Sequence, residues 1–322
     1  MFVRTPYIII ILVTFIACGQ ELSTERLRAD EDPGVSETNP APSSSTETTA
    51  EAEPNYEGVT IDQIFPITGR VSAIDDDGRE KAAAFEVDGY VVKIEDYIPL
   101  YLERDAKTIF RFKRRESDGY WATLVGRSHL LGPASTQIFT VVSGPGGVCC
   151  TNYSIIDISS SDPREIFHSE DFGDFRNPME VLDADGDGIY ELVQFDSCFR
   201  YFMDDCGSCS PEPRAYFKYD PRRKQYFPTP GIVQDFLKDG HRHSDEWLAE
   251  KSEQFKATGD VGIGQDIRRS ALAHMVDLLY IGDETRAWTV FDTYIDDPKD
   301  EIRREIKSRL KGCKFYQAMR KR

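Results

Sequence analysis

Short runs of β-type residues separated by turn residues constrain this chain most, and they recur from Val59 to about Phe227. Strand-like stretches flank Asp88-Gly89 and again Asp118-Gly119, and glycine accepts the positive φ that a tight hairpin turn requires. A further pair of strand-like stretches flanks Asp220-Pro221. The pattern predicts an antiparallel β-rich domain with hairpins at these turns, arranged as a sandwich or as an incomplete propeller.

The period of the apolar residues changes after Pro230. Apolar side chains then recur every three or four positions, which is the spacing of one face of a helix. Three such stripes are visible, formed by Ile267, Ala271, Met275 and Leu278, by Ala287, Phe291 and Ile295, and by Ile302, Ile306 and Leu310. The predicted fold class is therefore α+β, with the β-rich domain at 58–230 and a helical region at 231–322.

An acidic loop is the most informative local motif. Asp183, Asp185 and Asp187 alternate along the chain, and Gly188 supplies a sharp turn after them. Three carboxylates folded towards one centre repel each other unless a cation neutralises them. Calcium accepts six to eight irregular oxygen ligands, whereas magnesium demands a strict octahedron, so Ca²⁺ is the expected ion. We expect the Ile189 carbonyl oxygen and the Glu191 carboxylate to complete its shell.

The residues on both sides of this loop have a strand pattern, whereas an EF-hand would have helices there. An EF-hand would also have a Glu at the twelfth position, and counted from Asp183 that position is occupied by Gln194. The pattern Asp-x-Asp-x-Asp-Gly-x-x-Glu followed by Leu-Val resembles the calcium loops of the FG-GAP/VCBS families. That resemblance implies a loop between strands of an extracellular β-propeller or a related module. The alternative is an ion-free turn made of Asp and Gly.

The N-terminus resembles that of a bacterial lipoprotein. An apolar run from Tyr7 to Ala17 is about half as long as a membrane span, which is typical of a signal peptide. It ends in Phe15-Ile16-Ala17-Cys18, which resembles a lipobox and implies that residues 1–18 are the signal, with Cys18 lipidated. Gly19 after this cysteine implies sorting to the outer membrane, on an unspecified face. An ordinary secretory signal is the alternative.

Residues 19–57 are rich in Ser, Thr, Pro and Glu and carry ten acids against two bases. Such a segment buries too little apolar surface to offset its chain entropy, so it is expected to be a disordered tether. The protein is thus expected in the cell envelope, attached to a membrane through its N-terminal lipid.

Six cysteines remain after Cys18, and an exported protein is expected to oxidise them. Spacing alone allows 15 pairings of six cysteines. For the Cys-x-x-Cys motif at 206–209, a loop closed by a disulfide is preferred over a zinc site and over a redox pair. A zinc site would need a second pair, and Cys149-Cys150 is adjacent in sequence, which makes four tetrahedral thiolates awkward. A redox pair would open a helix, whereas prolines follow this motif at once. We expect the bridges within one group and Cys313 left free; the group consists of Cys149, Cys150, Cys198, Cys206 and Cys209.

Charge and motifs limit the function. The net charge is −17, which disfavours nucleic acid as a partner. No His-Glu-x-x-His or Gly-x-Ser-x-Gly motif occurs, and His241-Arg242-His243 is interpreted as the exposed start of a helix. The expected function is a lipid-anchored binding or envelope-structural module with an unknown protein or glycan partner. The alternative is an envelope hydrolase whose active site is dispersed along the sequence.

Overall fold

The computed structural model describes residues 59–72, 82–113, 122–144, 151–204, 210–230, 238–296 and 298–321. All of them belong to one compact unit, which spans Pro54–Arg322. The strands are β1 (Val59–Thr60), β2 (Ile67–Ser72), β3 (Ala83–Val87), β4 (Tyr90–Glu95), β5 (Ile98–Arg104), β6 (Lys107–Arg111), β7 (Ala122–Ser128), β8 (Gln137–Ser143), β9 (Thr151–Asp157), β10 (Arg164–His168), β11 (Phe175–Leu182), β12 (Glu191–Asp196), β13 (Arg214–Asp220) and β14 (Gln225–Pro228). The helices are α1 (Ile61–Ile64), α2 (Lys238–Thr258), α3 (Val261–Tyr280), α4 (Glu284–Tyr294), α5 (Lys299–Gly312) and α6 (Lys314–Arg320).

The strands form three open antiparallel sheets. Sheet 1 has the order β3-β4-β5-β6, sheet 2 the order β10-β9-β8-β7-β2, and sheet 3 the order β1-β11-β12-β13-β14. Each sheet contains four strands that are consecutive in the chain, and β2 and β1 extend the edges of sheets 2 and 3. The predicted α+β fold, a β-rich region followed by helices, is confirmed.

The predicted hairpins have different outcomes. Val87 pairs with Tyr90 across Asp88 and Gly89, which both have positive φ, and β13 pairs with β14 across the turn after Asp220. The expected hairpin around Asp118-Gly119 is wrong, because β6 ends sheet 1 whereas β7 pairs with β2 and β8 in sheet 2. A turn motif between two strand-like runs does not by itself tell a hairpin from a passage between sheets.

Sheet 2 lies between two hydrophobic cores because neighbouring residues of a strand point to opposite faces. Ile138 and Ile156 pack in a core with sheet 1, whereas Phe139 and Ile155 pack in a core shared with sheet 3 and the helices. Gly126 pairs with Phe139, and a Cβ at this glycine would lie 2.2 Å from the phenyl ring. The missing side chain therefore makes room for the ring.

The helices pack on this second core. The predicted stripes of α3, α4 and α5 are buried, as shown by Met275, Phe291 and Ile306. Phe217 of β13 lies with its ring centroid 5.0 Å from that of Phe167 in sheet 2 and 5.2 Å from that of Phe315 in α6. One aromatic cluster thus connects two sheets and the C-terminal helix.

A disulfide joins Cys198, just after β12, to Cys313, which lies between α5 and α6. The expectation that Cys313 is free is therefore wrong. The two cysteines are 115 residues apart, and only the packing of the C-terminal helices on sheet 3 brings them together. The other disulfide candidates, Cys149, Cys150, Cys206 and Cys209, lie outside the described residues, as do Cys18 and the tether.

Among the residues that the structure describes, no helix is both long enough and apolar enough to cross a membrane.

Candidate metal centre

The acidic loop connects β11 to β12 and is closed at its base by the pairing of Leu182 with Glu191. Gly186 has a φ of 71° and Gly188 a φ of 78°, values that L side chains rarely adopt. These two glycines let the chain reverse within a few residues. As a result, the three alternating aspartates turn towards the inside of one loop rather than to opposite faces of a strand.

The three aspartates form one cluster. Ligand oxygens of Asp183, Asp185 and Asp187 all lie within 4.8 Å of one another, and the three side chains are exposed. Two of them also fix the loop, since Asp183 Oδ2 accepts the Gly188 N–H at 3.0 Å and Asp187 Oδ1 accepts the Ile189 N–H at 2.8 Å. The loop therefore holds the carboxylates close together even though their charges repel.

Glu191 lies at the base of the loop and, unlike the aspartates, is buried, with 1% of its surface exposed. Its Oε2 accepts the Ala184 N–H at 2.8 Å, whereas its Oε1 has no hydrogen-bond partner among the described residues. Burial raises the pKa of Glu191, and the charges of Asp185 and Asp187 raise it further, against the Ala184 hydrogen bond and the charge of Lys218. A buried carboxylate oxygen without a hydrogen bond is costly unless a cation faces it.

Lys218 on β13 forms ion pairs with the cluster. Its ammonium contacts Asp185 Oδ2 and lies 3.4 Å from Asp187 Oδ2 and 3.6 Å from Glu191 Oε1. The last distance is too long for a hydrogen bond. Sequence reasoning missed this lysine because it follows the loop by about 30 residues and reaches it only through the pairing of β12 with β13.

These residues fit a hard dication. The donors are carboxylate oxygens, with one buried oxygen left over, which is the chemistry that Ca²⁺ accepts. Asp183, Asp185 and Asp187 are the residues that the structure brings together, and Glu191 lies next to them through Ala184 and Lys218. Ile189 contributes its N–H to Asp187, while the predicted use of its carbonyl oxygen remains a prediction.

The rest of the loop is attached to the sheets. The Tyr190 N–H donates to the Leu130 carbonyl at 2.9 Å, and the Tyr226 hydroxyl donates to the Tyr190 carbonyl at 2.9 Å. The Tyr190 ring also packs edge-on against the Phe65 ring, with the two ring centroids 5.8 Å apart. The downstream end of the loop is therefore held by the connection between β7 and β8 and by β14.

A second polar site lies between sheet 3 and the helices. It is a cleft of about 350 Å³. The side chains that line it include hydrogen-bond donors and acceptors as well as two apolar residues. The lining residues are Phe195, Glu212, Arg214, Tyr216, His241, Ser244, Asp277 and Ile281.

His241 in this cleft is buried, and its Nε2 has no hydrogen-bond partner among the described residues. The interpretation of His241-Arg242-His243 as an exposed helix start is therefore wrong for His241, although His243 is exposed. Burial lowers the pKa of His241 to about 4, helped by His274 and Arg286. The sequence could not show this, because the surface that covers His241 is formed by distant elements.

Asp277 of α3 lies in the same cleft. Burial raises its pKa to about 6, against the hydrogen bond that the Arg214 N–H donates to Oδ1 at 3.3 Å and against the charge of Arg214. His274, one turn earlier, has its Nε2 at 2.8 Å from Asp245 Oδ1, and Arg286 contacts the other oxygen of Asp245. Two titratable groups with shifted pKa values in one cleft make it a candidate for chemistry.

In comparisons with known proteins, the chain matches no family model, no curated protein and no solved structure. Its function is therefore inferred from the two sites themselves.

Proposed function

We propose that this chain is an exported, lipid-anchored envelope protein whose β-rich region holds one structural Ca²⁺ and acts as a binding or envelope-structural module. The membrane attachment is through Cys18, and the partner is a protein or a glycan. Outer-membrane sorting and the lipoprotein identity rest on the residues around Cys18, which lie outside the described part of the chain.

The observation that carries the calcium proposal is the buried Oε1 of Glu191, which has no hydrogen bond among the described residues and lies 3.6 Å from the same Lys218 ammonium that contacts Asp185 of the cluster. Exposed acidic groups alone are common without an ion. A buried carboxylate at the base of such a group is different, because Lys218 at 3.6 Å and the Ala184 N–H offset its desolvation only in part, and a cation bound directly to Oε1 would offset the rest. Ca²⁺ bound to the native loop and not to the unfolded chain stabilises the fold.

Thermal unfolding of the full chain in millimolar Ca²⁺ and in a chelator tests this proposal. Calcium at about 100 times its dissociation constant adds roughly 2.7 kcal/mol to the free energy of unfolding, so the melting temperature rises with calcium. Asp185→Asn is expected to lose this response, whereas Asp266→Asn, which changes an exposed aspartate on α3, keeps it. Identical melting of the wild type with and without calcium would leave only an ion-free turn.

The cleft at His241 and Asp277 favours a second candidate function, an envelope hydrolase. A carboxyl group with a pKa of about 6 is suited to general acid catalysis near neutral pH. His241 lines the same cleft, and its Nε2 has no hydrogen-bond partner among the described residues. Hydrolysis of ester, phosphate-ester and glycoside probes by the full chain tests this function. A hydrolase is supported if the wild type turns over a probe, Asp277→Asn and His241→Asn each abolish this activity, and His243→Asn keeps it. No turnover of any probe favours the binding module.

A further inference from the structure

We propose that Lys218 occupies the cation position of the acidic loop when calcium is absent, so that calcium binding exchanges the lysine ammonium for the ion. This inference rests on the proposed calcium site and concerns its regulation. It makes the loop a switch between two ionic states rather than a site that is simply filled or empty.

Lys218 lies among the carboxylates of the loop. Its ammonium is shared by Asp185, Asp187 and Glu191, with two of the distances being 3.4 Å to Asp187 and 3.6 Å to Glu191. Asp183 differs, because its Oδ2 is held by the Gly188 N–H. A single lysine thus faces three of the four carboxylates predicted to bind the ion.

The Lys218 ammonium and a calcium ion cannot occupy this cluster together. Calcium binds its oxygens at about 2.3–2.6 Å and needs six to eight of them. An ammonium in contact with the same carboxylates takes oxygen lone pairs that the ion requires, and two cations about 4 Å apart repel each other. Calcium entering the cluster therefore displaces the ammonium.

Displacement of the Lys218 ammonium costs little free energy. The Lys218 side chain is 27% exposed and ends in a flexible four-carbon stem, so the ammonium can move into water without disturbing β13. Lysine also satisfies the cluster incompletely, since no donor in the described part of the chain makes a hydrogen bond to Glu191 Oε1. One positive charge against four carboxylates leaves a strong attraction for a dication.

The consequence is a lower apparent calcium affinity. If the lysine-bound arrangement holds about 90% of the molecules, the apparent dissociation constant rises about tenfold. The same lysine stabilises the calcium-free loop, so the protein stays folded at low calcium. Removal of the Lys218 ammonium should therefore raise the calcium affinity and, at the same time, lower the stability of the calcium-free protein.

Calorimetric titration of CaCl₂ into the full chain tests the exchange, with Lys218→Met compared with the wild type and with Lys251→Met. Lys251 is a half-buried lysine on α2 whose ammonium donates to Gln254 Oε1, outside the loop, so its variant is a control for loss of one charge. We expect Lys218→Met to bind calcium about tenfold more tightly and to melt about 2–4 °C lower in chelator. Lys251→Met should bind as the wild type does.

Chemical labelling of the wild type gives a readout that needs no variant. Reductive methylation followed by mass spectrometry should show Lys218 becoming more reactive when CaCl₂ is added, with Lys251 unchanged. Equal reactivity of Lys218 with and without bound calcium would overturn the exchange.

The outcomes separate this inference from the proposed function. Calcium binding of equal strength in the wild type and in Lys218→Met keeps the calcium site and overturns the role of Lys218. Binding in Lys218→Met alone supports Lys218 as the occupant and overturns the calcium site of the native chain. Absence of binding in both overturns the two proposals together.

Discussion

The Tyr280 hydroxyl at the end of α3 donates a hydrogen bond of 2.8 Å to Asp196 Oδ2 at the end of β12. Both side chains are buried, and the other oxygen of Asp196 accepts the Cys198 N–H at 2.9 Å. Cys198 is in turn joined to Cys313. Two connections therefore join the end of β12 to the helices: the buried Asp196 carboxylate and, two residues later, the disulfide of Cys198.

The Tyr280→Phe variant is predicted to lose more stability at pH 8 than at pH 5. Burial raises the pKa of Asp196 to about 7, against the hydrogen bonds from Tyr280 and Cys198. At pH 8 the carboxylate is charged, and losing a donor to a buried charge costs about 2 kcal/mol. At pH 5 it is protonated and depends less on the phenol. Urea unfolding at the two pH values measures the difference; an equal loss would contradict this role.

Stability is also predicted to depend on pH through Asp196 itself. Its folded pKa lies above its unfolded value of 3.8, so the stability it contributes is fully present below about pH 4 and is lost as pH rises through about 7. Asp196→Asn should remove this slope between pH 4 and 7. Asp266→Asn, at an exposed position, should keep it. The measurement is the free energy of unfolding at several pH values, and an unchanged slope in Asp196→Asn would count against a protonated buried carboxyl.

His241 is predicted to act in the opposite sense. Its folded pKa of about 4 lies below its unfolded value of 6.5, so its contribution is present above about pH 6.5 and is lost as the pH falls towards 4. His241→Gln should lose less stability than the wild type over this range. His243→Gln changes an exposed histidine of the same helix and should follow the wild type. Thermal unfolding between pH 7 and 4 checks this, and parallel curves for wild type and His241→Gln would refute it.

The disulfide is predicted to contribute strongly to stability. A bridge that closes a loop of 115 residues removes much of the entropy of the unfolded chain, worth about 4–5 kcal/mol. Cys313→Ala should therefore unfold at a lower urea concentration, and reductant should destabilise the wild type by a similar amount. Alkylation of the unreduced, denatured chain followed by peptide mapping should find Cys198 and Cys313 protected. Alkylated Cys313 would show that the bridge does not form.

Membrane attachment is predicted to depend on Cys18. Cys18→Ala removes the only thiol at the predicted lipidation boundary, and the protein should then appear in the soluble fraction or remain unprocessed. Detergent phase partitioning of the wild type and the variant measures this, with Cys313→Ala as a control that keeps the anchor. Unchanged partitioning of Cys18→Ala would rule out lipid attachment at this residue.

The acidic cluster was predictable because all its parts are local. Asp183, Asp185 and Asp187 occupy every second position within five residues, and Gly188 indicates the turn that brings them together. The hairpin at Asp88-Gly89 was predictable for the same reason. Asp118-Gly119 carries a similar signal, yet β6 and β7 belong to different sheets. Turn chemistry fixes the backbone of a few residues but does not choose the partner of the next strand.

The amino-acid sequence by itself determined the β-rich region, the later helices with their apolar stripes, and the acidic loop, because each depends on residues within about one element of each other. Only the tertiary structure decided that Lys218 faces the loop, that Cys198 pairs with Cys313, and that His241 is buried. These three facts depend on which surfaces pack together when they come from segments more than about 20 residues apart in the sequence. Packing is a property of the whole core, so spacing along the chain carries no signal for it.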